Sequence, residues 1–188
     1  MKPYTALAAA IIALGTSPAL AQESRVYLQA GLGALFLHDS DYATGGRSWT
    51  GSYDPSVQAS VAVGYRFSEM IRVEAELGVG QVTYELGGNG GRDRFGVASG
   101  IVAGYLDVPF NQRFVPYVGL GAGWAVYGSQ DTGSSSGATA FGELGVSIPL
   151  SGQLAIVPGL RYTWMDRGEG YSGLESGWLP RVAMRLSF

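Results

Sequence analysis

The chain has 188 residues, of which 12 are basic and 15 are acidic, so its formal net charge is -3. This length indicates a single domain, the absence of Cys excludes a disulfide scaffold or thiolate metal site, and no basic patch favours nucleic-acid binding. Lys2 is the only Lys, and all other basic residues are Arg. Because soluble surfaces normally use Lys freely, the composition indicates that much of the surface is not in water.

The first 21 residues show the three parts of a secretory signal peptide. Lys2 supplies a positive start, residues 5–15 are mostly apolar, and Ala19-Leu20-Ala21 precedes Gln22 as a cleavage site of the A-x-A type. An N-terminal membrane anchor is the alternative, but the apolar run is too short for one. We therefore predict a signal peptide over residues 1–21 and a mature domain over residues 22–188.

Apolar residues alternate with polar or small residues along most of the mature chain, and this period of two is typical of strands with one apolar face. The alternating segments lie at residues 26–36, 57–67, 71–80, 117–126, 143–148, 154–164 and 178–188, and residues 95–108 form a further strand whose phase the sequence does not fix. That gives eight strands.

The connections between these segments alternate in length. Short ones lie at residues 68–70, 109–113 and 151–153, and longer ones rich in Gly, Ser and Asp lie at residues 38–55, 85–93, 128–137 and 166–176. Short turns at one end and long loops at the other are the pattern of an outer-membrane barrel. The sequence therefore predicts an all-β fold, an eight-stranded antiparallel up-and-down transmembrane β-barrel.

A soluble lipocalin-like barrel would alternate in the same way, with its apolar face inward. Two features favour the membrane. The polar face carries Arg and Glu but no Lys, and aromatic residues gather near strand ends as in the girdles of membrane barrels. These aromatic residues are Phe67, Phe110, Phe114, Tyr127, Trp164, Trp178 and Phe188.

Residues 115–124 read VPYVGLGAGW and resemble the "PY-x-G-x-G-x-G" strand of small OmpA-like outer-membrane barrels. Residues 104–109, the strand around Arg161 and the last four residues are also similar to that family, although Gly104 stands where the family often has Asn. The resemblance implies a location in the bacterial outer membrane. It also implies that Phe188 is the terminal aromatic that the barrel-assembly machinery reads. The family includes adhesins, surface antigens, structural barrels and narrow pores, so the resemblance specifies the fold better than the function.

If the apolar face meets lipid, charged residues of the polar face project into a lumen that has room for side chains and little else. We expect them to form an ion-pair network that acts either as a polar plug or as a gated ion path. The network consists of Arg66, Arg72, Glu74, Glu76, Glu143, Arg161, Arg181 and Arg185.

Other candidate sites have weaker support. His38 is the only His and has no Ser in a matching motif, so we expect no catalytic residue. Asp39, Asp41 and Asp54 lack the Gly and distal Glu of a calcium loop, and the Gly-rich residues 87–91 precede no helix that could hold a phosphate. We predict no metal site and no cofactor.

The sequence thus predicts a non-enzymatic barrel with a structural or surface role, whose four long loops serve adhesion or envelope integrity. The alternative is a narrow porin-like pore for ions or small solutes, and a lipid-modifying enzyme is a third hypothesis. Expected partners are outer-membrane lipid and lipopolysaccharide, the barrel-assembly machinery, and a host or environmental surface ligand. The loops carry more acidic than basic residues, so a partner would be basic or bridged by divalent ions.

Overall fold

The computed structural model describes residues 25–38, 40–44, 47–86, 91–109, 113–129, 133–166 and 174–188, so the predicted signal peptide lies outside the described residues. These residues form ten strands: β1 (Val26–Leu37), β2 (Ser40–Thr44), β3 (Arg47–Asp54), β4 (Ser56–Arg66), β5 (Ile71–Leu86), β6 (Gly91–Asp107), β7 (Val115–Ser129), β8 (Gly133–Pro149), β9 (Leu154–Asp166) and β10 (Leu174–Ser187). In this part of the chain no helix is long and apolar enough to cross a membrane.

Eight of the described strands close an antiparallel barrel in the order β1-β4-β5-β6-β7-β8-β9-β10. The barrel closes where β10 pairs back to β1, with a register that runs from Tyr27 opposite Ser187 to Leu37 opposite Gly177. Closure leaves no barrel strand with an unpaired edge, as lipid requires of a spanning sheet. The predicted fold class is confirmed.

The outer connections differ from the prediction. The segment at residues 38–55 was expected to be a loop but contains the hairpin β2–β3, and β3 pairs with the outer end of β5 from Asp54 opposite Thr83 to Gly51 opposite Leu86. β5, β6 and β8 are also longer than predicted, with 16 or 17 residues each. The added residues include parts of the segments at 85–93 and 128–137, which we predicted as loops from their Gly, Ser and Asp content.

A register slip marks the place where β5 changes its partner. β4 pairs with β5 as far as Gln58 opposite Gly80, and β3 pairs from Asp54 opposite Thr83, so residues 55–57 face only residues 81–82. An extra residue on one strand is the count of a β-bulge. Pro55 has no N–H to donate, and the Ser56 hydroxyl donates to the Asp54 carbonyl at 3.0 Å.

The apolar face points outward. Leu120 is 73% exposed and Leu77 is 65% exposed, although both lie in the middle of their strands. The structure also fixes the phase of β6, because Ile101, Tyr105 and Asp107 are buried in the lumen while Val102 faces outward. An exposed apolar surface of this extent around a closed sheet is stable only against lipid.

The exposed aromatic residues lie at the two ends of the barrel wall. Phe67, Phe114 and Phe188 lie at the end with the short turns, and Trp164 and Trp178 lie toward the other. Tyr127 was predicted to belong to an aromatic girdle, but it is partly buried and packs against the apolar cluster inside the lumen. Phe110 lies outside the described residues.

Two short turns are stabilised in the same way. The Ser68 hydroxyl accepts hydrogen bonds from the backbone N–H groups of Met70 and Ile71 at 3.2 and 3.1 Å. Ser151 does the same for residues 153 and 154, at 3.4 and 3.1 Å. A serine that satisfies two N–H groups allows a tight reversal between long strands. By the usual orientation of outer-membrane barrels, this end faces the periplasm.

Candidate functional site

The candidate site is the interior of the barrel. Seven of the eight charged side chains that the sequence places in the lumen are buried there, each at most 6% exposed, and Arg66 is half-buried. The seven are Arg72, Glu74, Glu76, Glu143, Arg161, Arg181 and Arg185.

Four of these residues, which we call the central quartet, cross the lumen: Glu76 on β5, Glu143 on β8, Arg161 on β9 and Arg181 on β10. The Arg161 guanidinium donates to both carboxylate oxygens of Glu76, at 2.6 and 3.0 Å, and its Nε donates to Glu143 at 2.7 Å. Arg181 donates to Glu76 at 2.9 Å and to Glu143 at 3.4 Å. β5 and β9 lie on opposite sides of the barrel, so the bidentate pair spans its diameter.

The central quartet is balanced in charge and in hydrogen bonds. It contains two carboxylates and two guanidinium groups, and each carboxylate oxygen accepts at least one hydrogen bond. Tyr117 donates to the Glu143 oxygen that the arginines leave free, at 2.7 Å. The Arg161 guanidinium carbon lies 3.6 Å from the centre of the Phe141 ring. Buried ions are tolerated when paired and fully hydrogen-bonded in this way.

A second group, the Tyr27 cluster, lies nearer the periplasmic end. It consists of Tyr27, Arg66, Arg72, Glu74, Asp107 and Arg185.

Arg72 links most of the Tyr27 cluster. Its Nε donates to both oxygens of Asp107, at 3.0 and 3.1 Å, and its Nη1 donates to Glu74 and to the Tyr27 hydroxyl. That hydroxyl in turn donates to Glu74 at 2.7 Å. Arg185 approaches Glu74 only to 3.7 Å, and its Nε donates to the side chain of Gln29 at 3.0 Å.

The outer half of the lumen is different in character. Above the central quartet lies a cavity of about 30 Å³, room for one or two waters, whose polar walls include Gln58, Ser99, Thr139 and Thr163. The same cavity is also lined by a packed apolar layer formed by Leu35, Val82, Val97, Met165 and Leu179. At the outer mouth the Tyr53 hydroxyl donates to Glu175.

Each of four inward-facing aromatic rings lies over the glycine directly opposite it on the neighbouring strand. The pairs are Tyr27 with Gly64, Tyr105 with Gly119, Tyr117 with Gly145 and Phe141 with Gly121. A Cβ at any of these glycines would overlap the ring or its hydroxyl. In the Gly repeat after Pro116, Gly119 and Gly121 therefore make room for rings that pack beside Arg72 and Arg161.

We expect Gly119→Ala to destabilise the barrel by about 1–3 kcal/mol, because the new methyl group would force the Tyr105 ring out of its place beside Arg72. Urea unfolding of the refolded protein, followed by Trp fluorescence, measures the change. Gly104→Ala is the matched control, since its Cβ would meet nothing within 4 Å, and we expect its unfolding to match that of the parent. Equal stability of the two variants would contradict the ring-over-glycine packing.

Sequence reasoning missed several members of the site. Tyr27 and Gln29 share the polar face of β1, so the period of two contained the signal that could have placed them. Asp107 and Tyr105 lie on β6, whose phase the sequence left open. Arg66, which we predicted as part of the network, has no ion pair within the described part of the chain, and its guanidinium carbon lies 5.6 Å from the centre of the Tyr27 ring.

The weaker candidates gain nothing from the structure. The Nδ1 atom of His38 lies 2.9 Å from the Ser176 carbonyl oxygen, and the His38 ring contacts Tyr162. Asp39 and the side chain of Asp41 lie outside the described residues. Among the residues that the structure does describe, no group of three His, Cys, Asp or Glu could hold a metal ion.

The family model described as "Outer membrane protein beta-barrel domain" matches residues 6–177. The chain belongs to this outer-membrane β-barrel family. It is accordingly a protein of the bacterial outer membrane, and its exposed apolar face sits in the lipid bilayer. A search of curated protein sequences finds no significant match.

Solved structures show the same outer-membrane barrel. Neisserial surface protein A has 17% identity and a TM-score of 0.62, with 87% of this chain and 97% of that chain covered. OprG from Pseudomonas aeruginosa has 15% identity and a TM-score of 0.64, with 88% and 96% covered. Outer membrane protein AlkL has 15% identity and a TM-score of 0.55, with 92% and 91% covered. At these identities the likeness concerns the fold.

Proposed function

We propose that this protein is a non-enzymatic outer-membrane barrel with a structural and surface role. Its rigid, plugged body holds outer loops that serve adhesion or envelope integrity. The observation that carries this proposal is the central quartet, because its ion pairs cross the lumen from β9 to the opposite strand β5.

The central quartet supports a plug rather than an open path. Arg161 joins Glu76 on the far wall to Glu143 on the adjacent strand, and Arg181 joins the same two carboxylates from β10. An ion that passed this level would have to separate pairs whose partners are at most 6% exposed. Breaking a buried pair leaves an uncompensated charge in a low-dielectric interior, which is costly.

The outer end supports a surface role. β3 adds to the wall beside β5, so the barrel continues beyond the apolar band on that side. The acidic bias of the outer connections favours basic partners, or lipopolysaccharide phosphates bridged by divalent ions. A host or environmental surface ligand would bind at this end.

The environment of the only His supports the absence of enzymatic activity. His38 makes a contact of 2.9 Å through Nδ1 with the Ser176 carbonyl, its ring packs on Tyr162, and within the described part of the chain it has no hydrogen bond to a hydroxyl group. A His general base needs a hydroxyl or thiol within hydrogen-bond reach.

The periplasmic end supports recognition by the barrel-assembly machinery. Phe188 follows directly after β10, its side chain is 43% exposed, and its N–H donates to the Val26 carbonyl at 3.2 Å. An exposed aromatic residue at the seam between the first and last strands is accessible to a factor that closes the barrel.

A narrow pore is the second candidate, and the cavity above the central quartet favours it. This cavity places about 30 Å³ of space and several hydroxyl and amide groups against Arg161. A path would require the central quartet to part and the apolar layer that lines the cavity to become wetted.

Planar-bilayer conductance of the refolded mature protein distinguishes the two candidates. We expect no stepwise channels, because the central quartet occludes the lumen. A gel mobility that changes on boiling is the control that a folded barrel was added to the bilayer. Stepwise channels from such a preparation, with an amplitude altered by Arg181→Gln, would overturn the plug and support the pore.

A further inference from the structure

The Tyr27 cluster has more hydrogen-bond donors than it uses. The cluster contains three guanidinium groups and two carboxylates, so it carries a surplus of one positive charge. Within the described part of the chain, Arg66 Nε, Arg72 Nη2 and both terminal nitrogens of Arg185 are buried without a hydrogen-bond partner. Glu74 Oε2 is the one acceptor of the cluster in the same condition.

The three arginine side chains that carry these donors all approach Tyr27. Arg66 and Arg72 are direct cross-strand partners on β4 and β5, where like charges repel. The guanidinium carbon of Arg185 lies 4.7 Å from the centre of the Tyr27 ring, and that of Arg66 lies 5.6 Å from it. Arg72 reaches the hydroxyl of the same ring at 3.1 Å. Three arginines therefore converge on Tyr27.

The central quartet does not share this excess of unused hydrogen-bond donors. There, two arginines meet two carboxylates and all four carboxylate oxygens are satisfied. In the Tyr27 cluster, Arg72 and Arg185 are only 1% exposed and still have unused N–H groups. A buried cation with unsatisfied donors is expensive unless an acceptor with negative charge joins it.

We propose that the Tyr27 cluster binds one small protonated oxyanion, with hydrogen phosphate as its best match. The oxyanion would accept hydrogen bonds from Arg66, Arg72 and Arg185, since guanidinium groups match phosphate oxygens in a fork geometry. Its own O–H would donate to Glu74 Oε2, which neither chloride nor sulfate can do at neutral pH. In its singly charged dihydrogen form, phosphate would balance the surplus of one positive charge, and both protonated forms keep an O–H for Glu74.

The position of the site points to the periplasm as the source of the ligand. Arg66 is half-buried and is the last residue of β4, directly before the short turn at residues 67–70. The phosphate site would be present whether the lumen is plugged or conducts ions. A failure to bind phosphate would therefore leave the proposed surface role untouched.

Isothermal titration calorimetry with inorganic phosphate, on protein refolded in a phosphate-free maltoside detergent, tests the proposal. We expect one saturable site, with at least tenfold weaker binding of sulfate and of glycerophosphoethanolamine. The second probe represents a lipid headgroup, whose phosphodiester has no proton to donate. The absence of saturable phosphate binding would overturn the site, and equal binding of sulfate would overturn the assignment of a protonated anion.

Two substitutions locate the site. We expect Arg185→Gln and Arg66→Gln each to weaken phosphate binding at least tenfold. Arg94→Gln on the exposed outer part of β6 is the control and should leave binding unchanged. A gel mobility that changes on boiling shows that each variant has folded. If Arg185→Gln does not fold, the binding measured for Arg66→Gln tests the site, because Arg66 is only half-buried. Unchanged binding in Arg66→Gln would contradict the assignment.

Discussion

Glu76→Ala is expected to lower the free energy of unfolding of the barrel by about 3–5 kcal/mol. Glu76 accepts three hydrogen bonds, two from Arg161 and one from Arg181. The substitution leaves two guanidinium groups with Glu143 as their only carboxylate. Both arginines are at most 6% exposed, so water cannot replace the lost acceptor without entering the lumen.

Urea unfolding of the refolded variant, followed by Trp fluorescence, measures this loss. Glu69→Ala is the matched control, because Glu69 is exposed on a short turn and its removal should change stability by no more than about 0.5 kcal/mol. If Glu76→Ala and Glu69→Ala unfold at the same urea concentration, the central quartet does not stabilise the barrel.

Leu120→Arg is expected to destabilise the barrel in a bilayer by about 2–4 kcal/mol, since it places a charge on the lipid face near mid-strand. Leu120 is 73% exposed on the outside of β7. In a water-soluble barrel of the same architecture, an arginine at so exposed a position would be harmless.

The same substitution close to the outer end of the wall provides the control. Ser136 faces outward near the start of β8, and the cost of Arg falls to about 0–1 kcal/mol near the membrane interface. Unfolding from lipid vesicles compares the two variants. Equal costs for Leu120→Arg and Ser136→Arg would contradict the assignment of the apolar band.

The fold was predictable where one face of a strand is large and apolar and the other is polar. β5 and β10 show this contrast along most of their length, and both their phase and the buried positions of Arg72, Glu76 and Arg181 follow from it. β6 shows no such contrast, because Gly, Ala and Ser occupy both of its faces and Ile101 and Val102 are equally apolar. Its phase depends on packing, with Tyr105 over Gly119, rather than on hydropathy.

The sequence could not predict which charged residues pair with each other in the lumen, and the reason is geometric. Which carboxylate meets Arg161 depends on strand order and on the stagger of the closed sheet, and the Arg161–Glu76 pair joins residues 85 positions apart. The hairpin β2–β3 was missed because its segment is rich in Gly, Ser and Asp, a composition that is typical of loops. β3 pairs with the outer end of β5, and the sequence of the segment does not reveal this pairing with a distant strand.

The wall that rises beyond the apolar band has a consequence for immune recognition. The outer ends of β5 and β6 are held by a ladder from Thr83 opposite Arg94 to Leu86 opposite Gly91, and β3 continues the ladder on the other side. An antibody that binds this part of the wall would contact β3 and the consecutive strands β5 and β6, which come from two separate parts of the chain. Such an epitope would be conformational, so sera raised against linear peptides or boiled protein would lack antibodies to it.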